Sequence, residues 1–152
     1  MSYQQTYETS DDAIRLSNLV LQSWSGMPEK NPNLSVLVVE DDDDSRYFMR
    51  LELEELGYVV SEAENGVKAV EIALRDHPDI ILMDLTLPEM DGLEATARIR
   101  ADAEMKEVPI IAVTAHSESD WREEAKASGF DAYVTKPIDS TWLSELIKGL
   151  LV

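Results

Sequence analysis

The chain has no cysteine, which excludes disulfides, thiolate metal sites and cysteine nucleophiles. Basic residues are scarce: 13 Lys and Arg stand against 31 Asp and Glu, for a formal charge of −18. Direct binding to nucleic acid or to an anionic membrane surface needs a basic footprint that this balance does not provide. Long apolar runs are also missing, since no stretch approaches the roughly 18 residues that suggest a transmembrane helix. The polar start, Met1 to Ser10, lacks the basic opening and the apolar block of a signal peptide. These absences leave a cytoplasmic protein as the expectation. Its 152 residues suffice for one domain with a core of its own, plus an appendage.

The appendage comes first. Residues 1–33 contain Gln4, Gln5, Ser23, Ser25, Gly26, Pro28 and Pro32, a linker-like composition. Within them, Asp11 to Trp24 sets Ile14, Leu16, Leu19, Val20 and Leu21 at partly helical spacing, with Ser10 or Asp11 available as N-cap. The expectation is an N-terminal extension, partly helical or disordered. Trp24 lends weight to a helix that docks on a partner or on the chain itself.

From Leu34 the pattern becomes regular, and residues 34–152 read as the domain. Apolar runs of strand length at 35–39, 58–60, 80–83, 110–113 and 132–134 alternate with amphipathic stretches near 44–56, 66–75, 91–103, 118–128 and 140–151. Gly57 and Gly129 stand where the first and fourth helices should close. Asp139 and Ser140 can cap the last helix, and Asp43 the first, with Asp44 in its acid-favouring first turn. Strands alternating with helices predict βα units, and right-handed crossovers then impose a parallel sheet with helices on both faces.

One run stands out. Ile80-Ile81-Leu82-Met83 suits a strand buried on both faces, yet it ends on Asp84. Open α/β folds place their sites at the carboxyl edge of the sheet, where such a residue is held. Glu40 and Asp41 end the run Val36–Val39 in the same way, Thr114 follows the fourth run, and Lys136 follows the fifth. Two carboxylates at ~4 Å repel by about 4 kcal/mol at an effective dielectric near 20. Three therefore require raised pKa values or a bound cation. An oxygen-only ligand set with room for water suits Mg²⁺.

Taken together, Val38-Val39-Glu40-Asp41-Asp42, Met83-Asp84-Leu85-Thr86-Leu87-Pro88-Glu89-Met90-Asp91-Gly92, Val113-Thr114-Ala115 and Thr135-Lys136-Pro137 resemble the receiver domain of two-component response regulators. The resemblance spans 34–152. It implies a flavodoxin-like, doubly wound (βα)5 α/β fold whose five-stranded parallel sheet has the order 2-1-3-4-5. It also implies that Asp84 is the phosphoacceptor for a sensor histidine kinase or a histidine phosphotransfer protein. Asp41 would bind Mg²⁺ directly, Glu40 through a metal-bound water, and Thr86 through its backbone carbonyl. Lys136 would pair with the Asp84 carboxylate and then with a phosphoryl oxygen. Thr114 would hydrogen-bond the phosphoryl group, Tyr133 would swing in behind it, and the Lys136–Pro137 bond would be cis. Thr86 and His116 would border the path of attacking water.

The expected function is a stand-alone switch that catalyses only its own phosphorylation and dephosphorylation. It would signal to an unidentified protein target through contacts around the fourth helix, fifth strand and fifth helix; Trp121 and Trp142 lie near this face but read first as packing anchors of their helices. Two other readings compete with it. A Mg²⁺-dependent phosphohydrolase would also use an aspartyl phosphate, but Asp84-Leu85-Thr86 lacks a second acid two residues on. An adaptor that keeps only the fold would not need all five key positions filled by competent residues. His77 and His116 have no ligand spacing and read as surface residues.

Overall fold

A computed structural model of the chain describes residues 34–115, 127 and 129–151. The N-terminal extension 1–33, His116, Trp121 and nearly all of the helix expected at 118–128 lie outside the described residues. The elements run β1 (Ser35–Val39), α1 (Asp43–Glu55), β2 (Val59–Ala63), α2 (Gly66–Asp76), β3 (Ile80–Asp84) and α3 (Gly92–Arg100). A short 3-10 turn (Ala103–Met105), β4 (Ile110–Thr114), β5 (Ala132–Thr135) and α4 (Ser140–Leu151) follow. The last of these is the fifth helix of the sequence reading.

All neighbouring strands pair in parallel, in the order β2-β1-β3-β4-β5. The fold is therefore flavodoxin-like, as the resemblance implies. Successive side chains on a strand point to opposite faces, and here both faces are covered. Val36, Val38, Leu82 and Val113 meet Leu53 of α1 and Ile147 of α4, whereas Leu37, Val39, Ile81 and Met83 meet the alanines of α2 and Ile99 of α3. Enclosure on both sides explains the unbroken apolar reading of the three central strands.

Two boundaries differ from the sequence reading. The second strand, expected at 58–60, runs Val59–Ala63 and takes in Ser61 and Glu62. As an edge strand it is only half covered, so its apolar signal is weak. Glu62 is held there by Arg46 at 3.2 Å and Arg50 at 3.0 Å. The third helix, expected to reach 103, stops at Arg100. Asp102 there accepts from the Glu104 N–H and opens the 3-10 turn. The Arg100 guanidinium donates to the carbonyls of Met105, Lys106, Val108 and Gly129 and pairs with Asp131 at 2.7 Å, tying this turn to the entrance of β5.

The helix caps expected at Gly57 and Asp139 are in place, and one cap differs. Gly57 and Gly129 have φ of 98° and 101°, and Asp139 accepts from the Trp142 N–H. The N-cap of α1, however, is Asp42 rather than Asp43, with its side chain accepting from the Ser45 N–H at 2.8 Å. His77 is a surface residue, and it closes α2 in the left-handed conformation. Among the described residues no helix is long and apolar enough to cross a membrane.

Candidate functional site

Strand register assembles the site. Val39 of β1 lies beside Met83 of β3, so Glu40 and Asp84, each one residue on, emerge next to each other. Thr114 of β4 lies beside Thr135 of β5, and the Lys136 backbone N–H donates to the Thr114 carbonyl at 2.7 Å. The Lys136–Pro137 peptide is cis. Glu40, Asp84 and Thr114 are buried at 2 %, 5 % and 1 % exposure, whereas Asp41 is exposed. Tyr133 is half-buried and packs against the pair Leu85 and Ala112.

One carboxylate oxygen each from Glu40, Asp41 and Asp84 lie within 4.8 Å of one another. Lys136 bridges the two buried ones, donating Nζ–H to Glu40 Oε1 and, at 3.3 Å, to Asp84 Oδ2. The remaining oxygens take backbone donors. Glu40 Oε2 accepts from the Asp42 N–H at 3.1 Å, and Asp84 Oδ1 from the Thr86 N–H at 2.9 Å. The Asp84 carboxylate is thus held at both oxygens and faces the acidic cluster. Thr86 is tied to Asp84 through its amide, a contact that side-chain reasoning could not find.

Charge in the cluster is unbalanced, because one ammonium faces three carboxylates. Partial desolvation beside the buried carboxylates raises the Asp41 pKa, and the hydrogen bond and negative charge of Glu40 raise it further. Burial alone would lower the Lys136 pKa, but the hydrogen bond to Glu40 and the charges of Asp84 and Glu40 outweigh it. The net result is a raised value, so Lys136 is a full cation through the neutral range. An oxygen-only donor set, with one member open to solvent and negative charge in excess of its internal cation, fits a small hard divalent ion. The residues present match Mg²⁺.

Arg46 is a positioning residue that the sequence reading passed over. Its Nη1 donates to the Glu40 carbonyl at 2.8 Å, its Nη2 pairs with Asp43 at 2.6 Å, and its Nε with Glu62 at 3.2 Å. It thereby anchors the acidic loop to edge strand β2. Only its spacing from Asp43, a residue one helical turn back, was visible beforehand.

Gly92 limits how closely α3 approaches the site. A Cβ there would lie 2.2 Å from the Asp84 carbonyl oxygen and 2.9 Å from Leu85 Cα, both backbone atoms that cannot step aside. Gly92→Ala must push the start of α3 off the end of β3. We expect a loss of about 1–3 kcal/mol, as for other overpacked sites, read as a lower urea midpoint. An unchanged midpoint would show that α3 is not seated there.

Residues 36–148 match the family model of the response regulator receiver domain. The polar-differentiation response regulator DivK of Brucella ovis is 38 % identical over 117 residues, covering 77 % of this chain and 95 % of that protein. Among solved structures, the Vibrio cholerae chemotaxis protein CheY4 superposes with a TM-score of 0.75 at 28 % identity, over 78 % of this chain and 98 % of that one. The receiver domain of a sensor histidine kinase from Pseudomonas aeruginosa gives 0.74 at 35 % identity, again over 78 % and 98 %. That structure has a magnesium ion coordinated in its active site cleft.

Proposed function

The chain belongs to the response regulator receiver domain family, and from that premise we propose a cytoplasmic switch of a two-component system or phosphorelay, phosphorylated on Asp84. The observation that carries this reading is Lys136 bridging two buried carboxylates, Glu40 and Asp84, beside the exposed Asp41. A structural ion pair needs one carboxylate, not three.

The residues divide the work. Asp84, fixed by the Thr86 N–H and Lys136, offers an oxygen to the phosphorus of a phosphohistidine on a kinase or a phosphotransfer protein. The new P–O bond forms as the P–N bond breaks, and the histidine nitrogen keeps the electron pair. Phosphoryl transfer asks mainly for alignment and charge neutralisation. Asp41, Asp84 and the Thr86 carbonyl would hold Mg²⁺, with Glu40 as an outer partner. The ion, when bound, would supply positive charge against the phosphoryl oxygens. Lys136 would pass from the carboxylate to a phosphoryl oxygen, and Thr114 would hydrogen-bond the same group. The modification adds about −1.5 to −2 charges, and Thr114 and Tyr133 would reposition in response to change the surface offered to a protein target. The only chemistry in this reading is the protein's own phosphorylation and dephosphorylation.

With Mg²⁺ and a small acyl phosphate, the intact mass should rise by one phosphoryl group, and a chelator should prevent the rise. Absence of an adduct with every donor tried would sink the reading.

A further inference from the structure

On α1, Tyr47 and Phe48 are 48 % and 60 % exposed, and Leu51 is 37 % exposed. The two rings meet edge to face at 5.7 Å, and the Arg50 guanidinium lies 5.3 Å from the Tyr47 centroid. Two ordered aromatics and a leucine one turn on make a preformed apolar patch, on a protein whose surface is otherwise dominated by acids. Patches of this kind mark contact sites.

We propose that the patch is covered by the chain's own residues 11–24, docked as a helix along the outer face of α1. The described chain begins at the right place for this. Leu34 packs on the same apolar cluster as Met49 of α1 and Leu56, the residue that caps it, and its carbonyl accepts from the Val59 N–H just beyond the end of that helix. The extension therefore joins the domain at the foot of α1, on the face α1 covers. From Glu55 to Phe48 is about 10 Å along the helix. The link Ser25–Asn33 can span roughly 30 Å when extended, so the reach is ample.

The segment also needs a partner. Ile14, Leu16, Leu19, Val20, Leu21 and Trp24 carry more apolar surface than residues 1–33 can enclose alone. A helix this short is marginal in water unless one face is packed. Tethering supplies an effective concentration on the order of millimolar, which favours the chain's own patch over a dilute partner.

The absence of cysteine makes the test clean. A nitroxide placed at Ser23→Cys on the full chain should remove most of the amide signal of Tyr47 to Leu51, independently of protein concentration. Leu16→Ser with Val20→Ser, both outside the described domain, should restore those signals and leave the rest of the spectrum in place. Phe48→Ser should release the segment equally. Undiminished α1 signals would overturn the proposal. Equal loss in untagged, isotope-labelled chains mixed with tagged, unlabelled ones would overturn it too, assigning the patch to a second copy.

Discussion

Asp84→Asn is expected to abolish phosphorylation and to make the metal-free protein more stable. The first effect is complete, because the amide lacks the nucleophilic carboxylate oxygen that takes the phosphoryl group. The second follows from charge. Asp84 faces Glu40 and Asp41 within 4.8 Å and, among the described residues, is offset only by a Lys136 contact of 3.3 Å, which Glu40 shares. An asparagine keeps an acceptor for the Thr86 N–H and removes one of three crowded negative charges. At an effective dielectric near 20, the relief is on the order of 1–3 kcal/mol once the lost Lys136 pairing is subtracted. Urea unfolding in chelator reads it as a higher midpoint with unchanged slope. Adding Mg²⁺ should narrow the gap, since the wild type has more repulsion to relieve. A variant that still accepts phosphoryl, or that unfolds more readily without metal, would show that Asp84 has been given the wrong part.

Lys136→Met should do the reverse. Glu40 and Asp84 are 2 % and 5 % exposed, and both lose their only side-chain cation in contact among the described residues. Breaking a buried pair costs about 3–5 kcal/mol, and the 28 % exposure of the Lys136 side chain places this case at about 3 kcal/mol or below. The pH dependence has a definite sign. The Lys136 pKa is raised on folding, so its contribution is fully present below the ordinary lysine value of about 10.4 and is lost as pH rises through the folded value. The wild-type advantage over Lys136→Met should therefore persist through neutrality and shrink in strongly alkaline buffer. Phosphorylation by a small donor should slow by about 100-fold, the cost typical of removing one charge-stabilising donor. Urea midpoints across pH and a time course of adduct formation check both parts. An unaltered midpoint at neutral pH would mean that solvent, not Lys136, satisfies the carboxylates.

What the sequence made legible follows from where each residue stands. Asp84, Glu40, Thr114 and Lys136 interrupt apolar strand ends, so each announced itself as a charge or hydroxyl where continued burial was the rule. The order of elements was equally plain, because β1, β3 and β4 are enclosed on both faces and read as unbroken apolar runs. β2 was misplaced because Ser61 and Glu62 belong to an edge, where polar residues are tolerated. The end of α3 was missed because Arg100 meets carbonyls and a carboxylate brought near only by folding. Arg46 was missed for the same reason, with acceptors on the Glu40 backbone and on Glu62. Asp42 was passed over as N-cap because four consecutive acids, Asp41 to Asp44, are indistinguishable until the backbone shows which side chain reaches back to Ser45.

The most direct test is to locate the phosphoryl group itself. Borohydride reduces an aspartyl phosphate to homoserine, so the chain should be treated with Mg²⁺ and a small acyl phosphate, reduced, digested and sequenced by mass spectrometry. The account predicts homoserine at position 84 alone, and none when the metal is chelated. Homoserine at another aspartate, or a phosphoryl group recovered on a histidine, serine or threonine instead, would contradict it.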